Sequence, residues 1–269
     1  MGLFDFFKKK KNTEQVKPES ERSTLAMAMP MFSDGKSFDM NKVVEHLQSF
    51  WQLSVTDFSG DSNETAVFNV DGHLVALADM LVPIPLEELN EIIRFTYLWK
   101  NAGEETSRHT GHALVTVMGN NGTEVERRTL LSKLLCSIML TTPECIGIYQ
   151  GNETLLLQRD FYLAAVEDLQ NNRIPVPAWI YIGLRGTDKG IDAYTFGMKS
   201  FNKPEFEVIG TPLDHDQLYT LILSIVSYTL GNDVTFGNGD TFSLSENASM
   251  RITASKGRYI DDITLKLDM

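Results

Sequence analysis

The residues of this 269-residue chain best suited to chemistry are His112, Glu205 and Asp240. An imidazole and two carboxylates gathered in one pocket would supply a general base, a general acid and an orienting charge for hydrolysis or group transfer. Their spacing does not gather them; only a tertiary fold could do so. Other polar combinations have local explanations. His109 and His112 straddle a strand start three residues apart, which in extended chain points them to opposite faces, a poor geometry for one metal. Asp214-His215-Asp216 stands just before an amphipathic stretch, where acidic side chains accept the unpaired N–H groups of a helix start. Asp188, Asp192, Glu205 and Glu207 lie on or near strands without the spacing of an acid/base pair. The chain has no His-Glu-x-x-His, no Cys-x-x-Cys pair and no Gly-x-Ser-x-Gly elbow, and it lacks the kinase and deaminase signatures. Gly237-Asn238-Gly239 sits between strand segments and reads as a turn, not a phosphate loop. The expectation is no cofactor and no metal.

The elements that would position these residues alternate short β runs with amphipathic helices. Leu25 to Phe32 reads as a strand, and its Met27, Met29 and Met31 share one face, which points to core packing ahead of an adaptable binding surface. Asp39 caps a helix carrying Val43, Val44, Leu47, Phe50 and Trp51. Leu53–Phe58, Ala66–Val70 and Leu74–Ala78 are strands, the last two joined by the Asp71-Gly72 turn. Pro85 opens a helix with the stripe Leu86, Leu89, Ile92, Ile93 and Trp99.

A second round then begins. His112–Met118 is a strand, Thr123 and Glu126 form a capping box, and Leu130, Leu131, Leu134, Leu135 and Ile138 line a helix. Ile146–Tyr149 and Thr154–Leu157 make a hairpin, and Phe161–Leu169 is helical. A third stretch varies the theme. Strands at Trp179–Arg185, Tyr194–Met198 and Phe206–Ile209 precede a helix through Leu218, Leu221, Ile222, Ile225 and Val226. Strands follow near Thr241–Leu244, Met250–Ala254 and Ile263–Leu267. This predicts an α+β fold of repeated strand-helix-strand-strand units, with mainly antiparallel sheets covered by helices. The Pro175-Val176-Pro177 stretch is the best candidate for an internal boundary, giving regions 1–23, 24–174 and 175–269, and equally fits a rigid connection inside one compact body.

Composition narrows the function classes. Lys and Arg number 24 against 36 Asp and Glu, a net charge of −12 that disfavours nucleic acid and favours basic protein partners. Cys136 and Cys145 lie in apolar stretches and read as buried free thiols of a reducing compartment. No run of 18 apolar residues could span a membrane. The first eleven residues differ from the rest, carrying +3 while residues 12–269 sum to −15. Leu3, Phe4 and Phe7, followed by Lys8, Lys9, Lys10 and Lys11, are candidate membrane-contact residues, with each Lys worth about 1 kcal/mol near anionic lipid. The expected location is cytoplasmic; residues 1–11 read first as a frayed, solvated terminus and alternatively as a peripheral contact at the inner membrane face, and residues 12–23 read as a linker.

Three stretches together carry a family resemblance: Met80-Leu81-Val82-Pro83-Ile84-Pro85; Gly111 to Gly119 with Cys145-Ile146-Gly147-Ile148-Tyr149; and Thr195 to Phe201 with Glu205, leading to Asn238-Gly239-Asp240-Thr241. In this order they resemble the bacterial family called domain of unknown function 4261. The family-like motif residues are Gly197, Met198, Phe201, Glu205, Gly239, Asp240 and Thr241. The family pattern has a Phe-Gly pair before the acidic residue, where this chain has Phe201-Asn202. The resemblance implies a bacterial intracellular protein and supplies no activity. Gly197 and Gly239 suit turns, and Asp240-Thr241 suits local backbone hydrogen bonding at a strand start. With no catalytic constellation evident, the expected function is a non-enzymatic protein-interaction or adaptor protein, a toxin-neutralising protein being one concrete form. The alternative is a hydrolase- or transferase-type enzyme built from His112, Glu205 and Asp240.

Overall fold

A computed structural model describes residues 25–61, 64–119, 122–245 and 248–268. The candidate membrane-contact residues Leu3, Phe4, Phe7 and Lys8 to Lys11, and the linker 12–23, lie outside the described residues. The fold is α+β, with two mainly antiparallel sheets of seven and six strands. Two compact units meet in sequence between Trp179 and Ile180.

The N-terminal unit contains β1 (Leu25–Phe32), α1 (Met40–Ser49), β2 (Val55–Asp61), β3 (Thr65–Val70) and β4 (His73–Met80). Then come α2 (Leu86–Ile93), α3 (Ala102–Thr106), β5 (Gly111–Met118), α4 (Glu124–Thr141), β6 (Cys145–Gln150) and β7 (Leu155–Gln158). Three short helices close it: α5 (Arg159–Leu163), α6 (Ala165–Gln170) and α7 (Val176–Trp179). The two rounds of the sequence pattern do not build separate sheets. They merge into one, ordered β2-β3-β4-β5-β1-β6-β7. Each round lends its first strand to the other's hairpin: β5 pairs with β4, and β1 pairs with β6. The long helix predicted at Phe161–Leu169 is broken at Ala164 into α5 and α6, and Trp99 lies beyond the end of α2.

Period-two alternation separates two faces of this sheet. On one, Ala26, Ala28, Phe68, Val75, Leu77, Ala113, Val115 and Val117 are all buried, and the alanines let α4 approach β1. Caps fix the helix starts. Asp39 Oδ1 accepts the N–H groups of Asn41 and Lys42 at 3.0 and 3.3 Å, and Thr123 and Glu126 form the expected capping box. Helix α4 is buried well beyond its leucine stripe. Ser132 Oγ accepts the Trp179 indole N–H at 2.8 Å, and Ser137 Oγ accepts that of Trp51 at 3.1 Å. At its start, Glu124 takes Arg127 at 3.0 Å and Arg128 at 2.8 Å, and Arg128 also meets Glu153. Cys136 and Cys145 are buried free thiols, and burial pushes both pKa values up to about 12.

The opposite face is covered on one half only. Over β1, β6 and β7, Ile84, Leu89, Ile92, Trp99 and Ala102 pack onto Met31, Tyr149 and Leu156. Over β3, β4 and β5, Val67 and Leu74 stay 40% and 39% exposed, with Met118 partly exposed. The methionine stripe runs from one half to the other: Met31 is buried, Met29 packs against the covered cluster, and Met27 is partly exposed beside Leu25.

The C-terminal unit contains β8 (Tyr181–Thr187), β9 (Gly190–Phe196), β10 (Phe206–Thr211), α8 (His215–Gly231), β11 (Thr241–Ser245), β12 (Ala248–Lys256) and β13 (Ile263–Asp268). Its sheet runs β11-β12-β13-β10-β9-β8, with β10 and β13 parallel. Asp214 caps α8, accepting Gln217 N–H at 2.8 Å while Gln217 Oε1 accepts Asp214 N–H at 3.2 Å.

Candidate functional site

The C-terminal unit buries three carboxylates close together in sequence. Asp192 on β9 and Glu207 on β10 are fully buried, and Glu205, one residue before β10, is 6% exposed. Strand alternation sets Asp192, Tyr194 and Glu207 opposite the apolar positions Ala193, Phe206 and Val208.

Glu205 closes the turn that carries the family-like motif. Its Oε1 accepts the N–H groups of Gly197 at 2.9 Å and Lys199 at 3.3 Å, and its Oε2 accepts the Thr195 hydroxyl at 2.7 Å. Gly197 sits at φ +123°, a conformation that side chains resist, and a 3₁₀ turn follows over Met198–Phe201. Successive N–H groups of such a turn form an anion cradle, and the chain's own carboxylate fills it. Burial pushes the Glu205 pKa up, and its neutral hydrogen-bond donors offset this only in part. Asn202, where the resemblance led to an expectation of glycine, adopts φ +57°, the left-handed region that Asn tolerates best after Gly. The departure therefore preserves the turn.

Glu207 anchors a strap. Between β12 and β13 the chain folds over residues 257–262, tied by Gly257 N–H to Asp262 O at 2.8 Å. The Glu207 carboxylate accepts Arg258 N–H at 3.0 Å, Tyr259 N–H at 2.9 Å and the Thr264 hydroxyl at 3.1 Å, with Lys266 Nζ at 2.6 Å. Burial pushes its pKa up, but the backbone donors and the Lys266 ammonium more than offset this and hold it below the usual value. Asp192 anchors the same strap from below. It accepts the Tyr259 hydroxyl and Gly210 N–H, the latter at 2.6 Å, with the Arg258 guanidinium at 3.3 Å. Burial and that hydrogen bond push the Tyr259 phenol up to about 12. The Tyr259 ring stacks on Tyr194 at 4.8 Å, and the guanidinium groups of Arg185 and Arg258 lie 6.0 and 5.7 Å from its centre.

Chemically, each carboxylate is directed into a turn or strap by donors that occupy its lone pairs. A general base needs a lone pair within reach of a substrate proton, so these groups hold a shape. At the surface, Arg258 of the strap and Arg185 of β8 flank Tyr259, the Arg258 side chain being 51% exposed.

The catalytic candidates are engaged separately. His112 belongs to the N-terminal unit, where its Nδ1 lies 2.8 Å from Val82 O. His109 Nε2 accepts Ile84 N–H at 2.7 Å, so its proton sits on Nδ1, which donates to Thr106 O. Both histidines thus brace the loop 82–84. Asp240 is exposed and accepts Gly237 N–H at 2.8 Å within a turn; Gly239 there has φ +95°, and Thr241 starts β11. Among the described residues, His112, Glu205 and Asp240 share no hydrogen-bond partner. Asp214 is a cap, His215 and Asp216 are exposed beside it, and Asp188 is exposed in the β8–β9 turn. A shallow groove along the first turns of α8, lined by Leu213, Asp216, Gln217, Thr220, Leu221 and Ser224, contains none of the three candidates. Among the described residues, no group of three or more His, Cys, Asp or Glu could hold a metal ion, and no helix is long and apolar enough to cross a membrane.

Sequence reasoning missed Tyr259, Arg258 and Lys266, because their partners are more than fifty residues away. The available signal was Glu207 itself, a charge between the apolar Phe206 and Val208 in a strand that lies inside a sheet. No curated protein and no solved structure matches the chain. The segment that builds the Glu205 turn, the Glu207 anchor and the strap is the segment that a family model matches: residues 194–268 match the family described as a domain of unknown function, DUF4261.

Proposed function

We propose that the protein is a non-enzymatic interaction or adaptor protein working inside a bacterial cell, and that its N-terminal unit carries the binding surface. The observation that supports this is the half-open sheet face, where Leu25, Val67 and Leu74 are 39–40% exposed on one side of a folded sheet. Contiguous apolar patches of this kind mark interaction sites. The partner chemistry follows from charge. Residues 24–179 hold twenty Asp and Glu against ten Lys and Arg, which favours a partner presenting apolar side chains flanked by basic ones. The buried thiols, with pKa values raised to about 12, suit a reducing compartment because they are shielded and unreactive.

The test is affinity capture at physiological salt with the wild-type chain and with Leu74→Asp, whose side chain is exposed. The expected result is a stoichiometric partner retained by the first and lost by the second, with both proteins folded by circular dichroism. A partner retained equally by both, or no stoichiometric partner at all, overturns the reading.

A further inference from the structure

The open half of the sheet face has a shape as well as an apolar character. Strand pairing lays its side chains out in rows, with Leu25, Met118 and Leu74 in one and Met27, Thr116, Ala76 and Val67 in the next. Ala78 follows Ala76 on the same face of β4, so small side chains floor a trough that runs with that strand. Met27 and Val67 stand on either side of it, the first partly exposed and the second 40% exposed. The opposite face shows what such a floor admits, since Ala26 and Ala28 there let α4 lie against β1. The covered half shows how little closes the rest: the eight-residue α2, with flanking Ile84 and Trp99, suffices.

The elements bordering the trough carry one sign of charge. Residues 43–93, which include β2, β3, β4 and α2, hold nine Asp and Glu and no Lys or Arg. Strands β1 and β5 contain none of these four residue types. Asp57 and Glu64 are exposed on the β2–β3 side, and Glu87 and Glu91 are exposed on α2.

We infer that this trough seats one amphipathic helix of a partner protein, its apolar stripe against Ala76, Ala78 and Thr116 and its flanks carrying Lys or Arg. The inference rests on the interaction reading above and names the form of the partner. Width fits: β1 to β3 is about 14 Å at the usual strand spacing, room for one helix of about 10–12 Å diameter and not for two. Length fits as well, because the eight residues of β4 extend about 25 Å, matched by about 16 helical residues. Charge chooses between another protein and a second copy. Two copies would set the same acidic rims against each other, whereas basic flanks meet carboxylates on both sides of the stripe.

The probe is a synthetic peptide of about 16 residues, with Leu at i, i+3, i+4 and i+7 and Lys elsewhere. Peroxide oxidation of the partly exposed Met27 and Met118 in the full chain is followed by mass spectrometry, with Met40, 3% exposed, as internal control. The expected result is oxidation slowed about threefold or more at Met27 and Met118 by the peptide, an unchanged Met40 rate, and no slowing in folded Leu74→Asp. Unchanged rates in wild type overturn the inference. So does equal slowing by a Leu/Glu peptide of the same spacing, by a scrambled Leu/Lys peptide, or by an alternating Val/Lys peptide that forms strands. Slowing without peptide that grows with chain concentration overturns it in favour of a second copy. Each of these failures leaves the affinity-capture result untouched: a partner held by wild type and lost by Leu74→Asp supports the interaction reading whatever the form of its binding segment.

Discussion

Thr195 and Glu205 form a two-way junction in the family domain. The Thr195 hydroxyl donates to Glu205 Oε2 at 2.7 Å and accepts Phe206 N–H at 2.8 Å. A side chain on β9 thereby fixes where β10 begins, and the carboxylate it holds fixes the Gly197 turn. Everything at this junction is buried, so a broken bond has no water to replace it.

Glu205→Ala removes the acceptor of the Gly197 and Lys199 N–H groups, and the expected loss of stability is about 2–3 kcal/mol by chemical denaturation. Glu205→Gln keeps an acceptor oxygen and costs less. Both variants also separate from wild type by pH. Burial raises the folded-state pKa of Glu205, so its contribution is fully present below the ordinary value of 4.5 and is lost as pH rises through the raised folded value. Glu205→Gln lacks that titration, and its stability relative to wild type therefore improves as pH rises from 4 to 7.

Glu207 titrates in the opposite sense. Its folded-state pKa is depressed, so its contribution is present above 4.5 and is lost as pH falls through the depressed value. Glu207→Gln replaces a charge paired with Lys266, and the strap loosens first. Hydrogen exchange at the Arg258 and Tyr259 amides accelerates at least tenfold while α8 amides remain protected. Equal exchange across the whole C-terminal unit would show that Glu207 supports the entire sheet and not the strap.

His109 accepts Ile84 N–H and must stay neutral to do so. Burial lowers its folded-state pKa from 6.5. The associated stability is present above pH 6.5 and is lost as pH falls from there through the lowered folded value. Thermal melts from pH 7.5 to 5.5 are expected to show this decline in wild type and a flatter profile in His109→Gln, whose amide oxygen still accepts the Ile84 bond.

The turn itself is testable at two positions. Gly197→Ala forces a side chain into φ +123° and is expected to cost about 1–3 kcal/mol. Asn202→Gly is expected to fall within about 1 kcal/mol of wild type, because glycine adopts φ +57° freely, whereas Asn202→Val costs about 1–2 kcal/mol.

Local chemistry was legible in the sequence. Asp39, Thr123 with Glu126, and Asp214 all cap helices because capping depends on residues within one turn. The alternation of β1 correctly placed three methionines on one face, but not which of them would be covered, since the cover comes from residues 84–102. Read from its spacing, α4 shows a single leucine stripe. In the fold, Ser132 and Ser137 are buried as well, because tryptophans from α7 and the end of α1 supply their hydrogen bonds. In the candidate site, Gly197 and Glu205 were visible as a motif. The strap was not, because Tyr259 and Asp192 are brought together only by the parallel placement of β13 beside β10.

The central position of β1 sets a schedule for the chain during its synthesis. β1 is the first strand among the described residues, yet its neighbours are β5 and β6, so Leu25 waits for Met118 and Met29 waits for Tyr149. At about 5–20 residues per second, that interval is about 5–25 s. Until β5 is made, the Ala- and Met-rich strand has both edges unpaired, while the β2-β3-β4 meander is already able to close on itself. Completion of the seven-stranded sheet therefore depends on late placement of β1 between β5 and the β6–β7 hairpin. Variants that leave the finished fold intact but delay β6 will reveal themselves as a loss of soluble yield, not of stability.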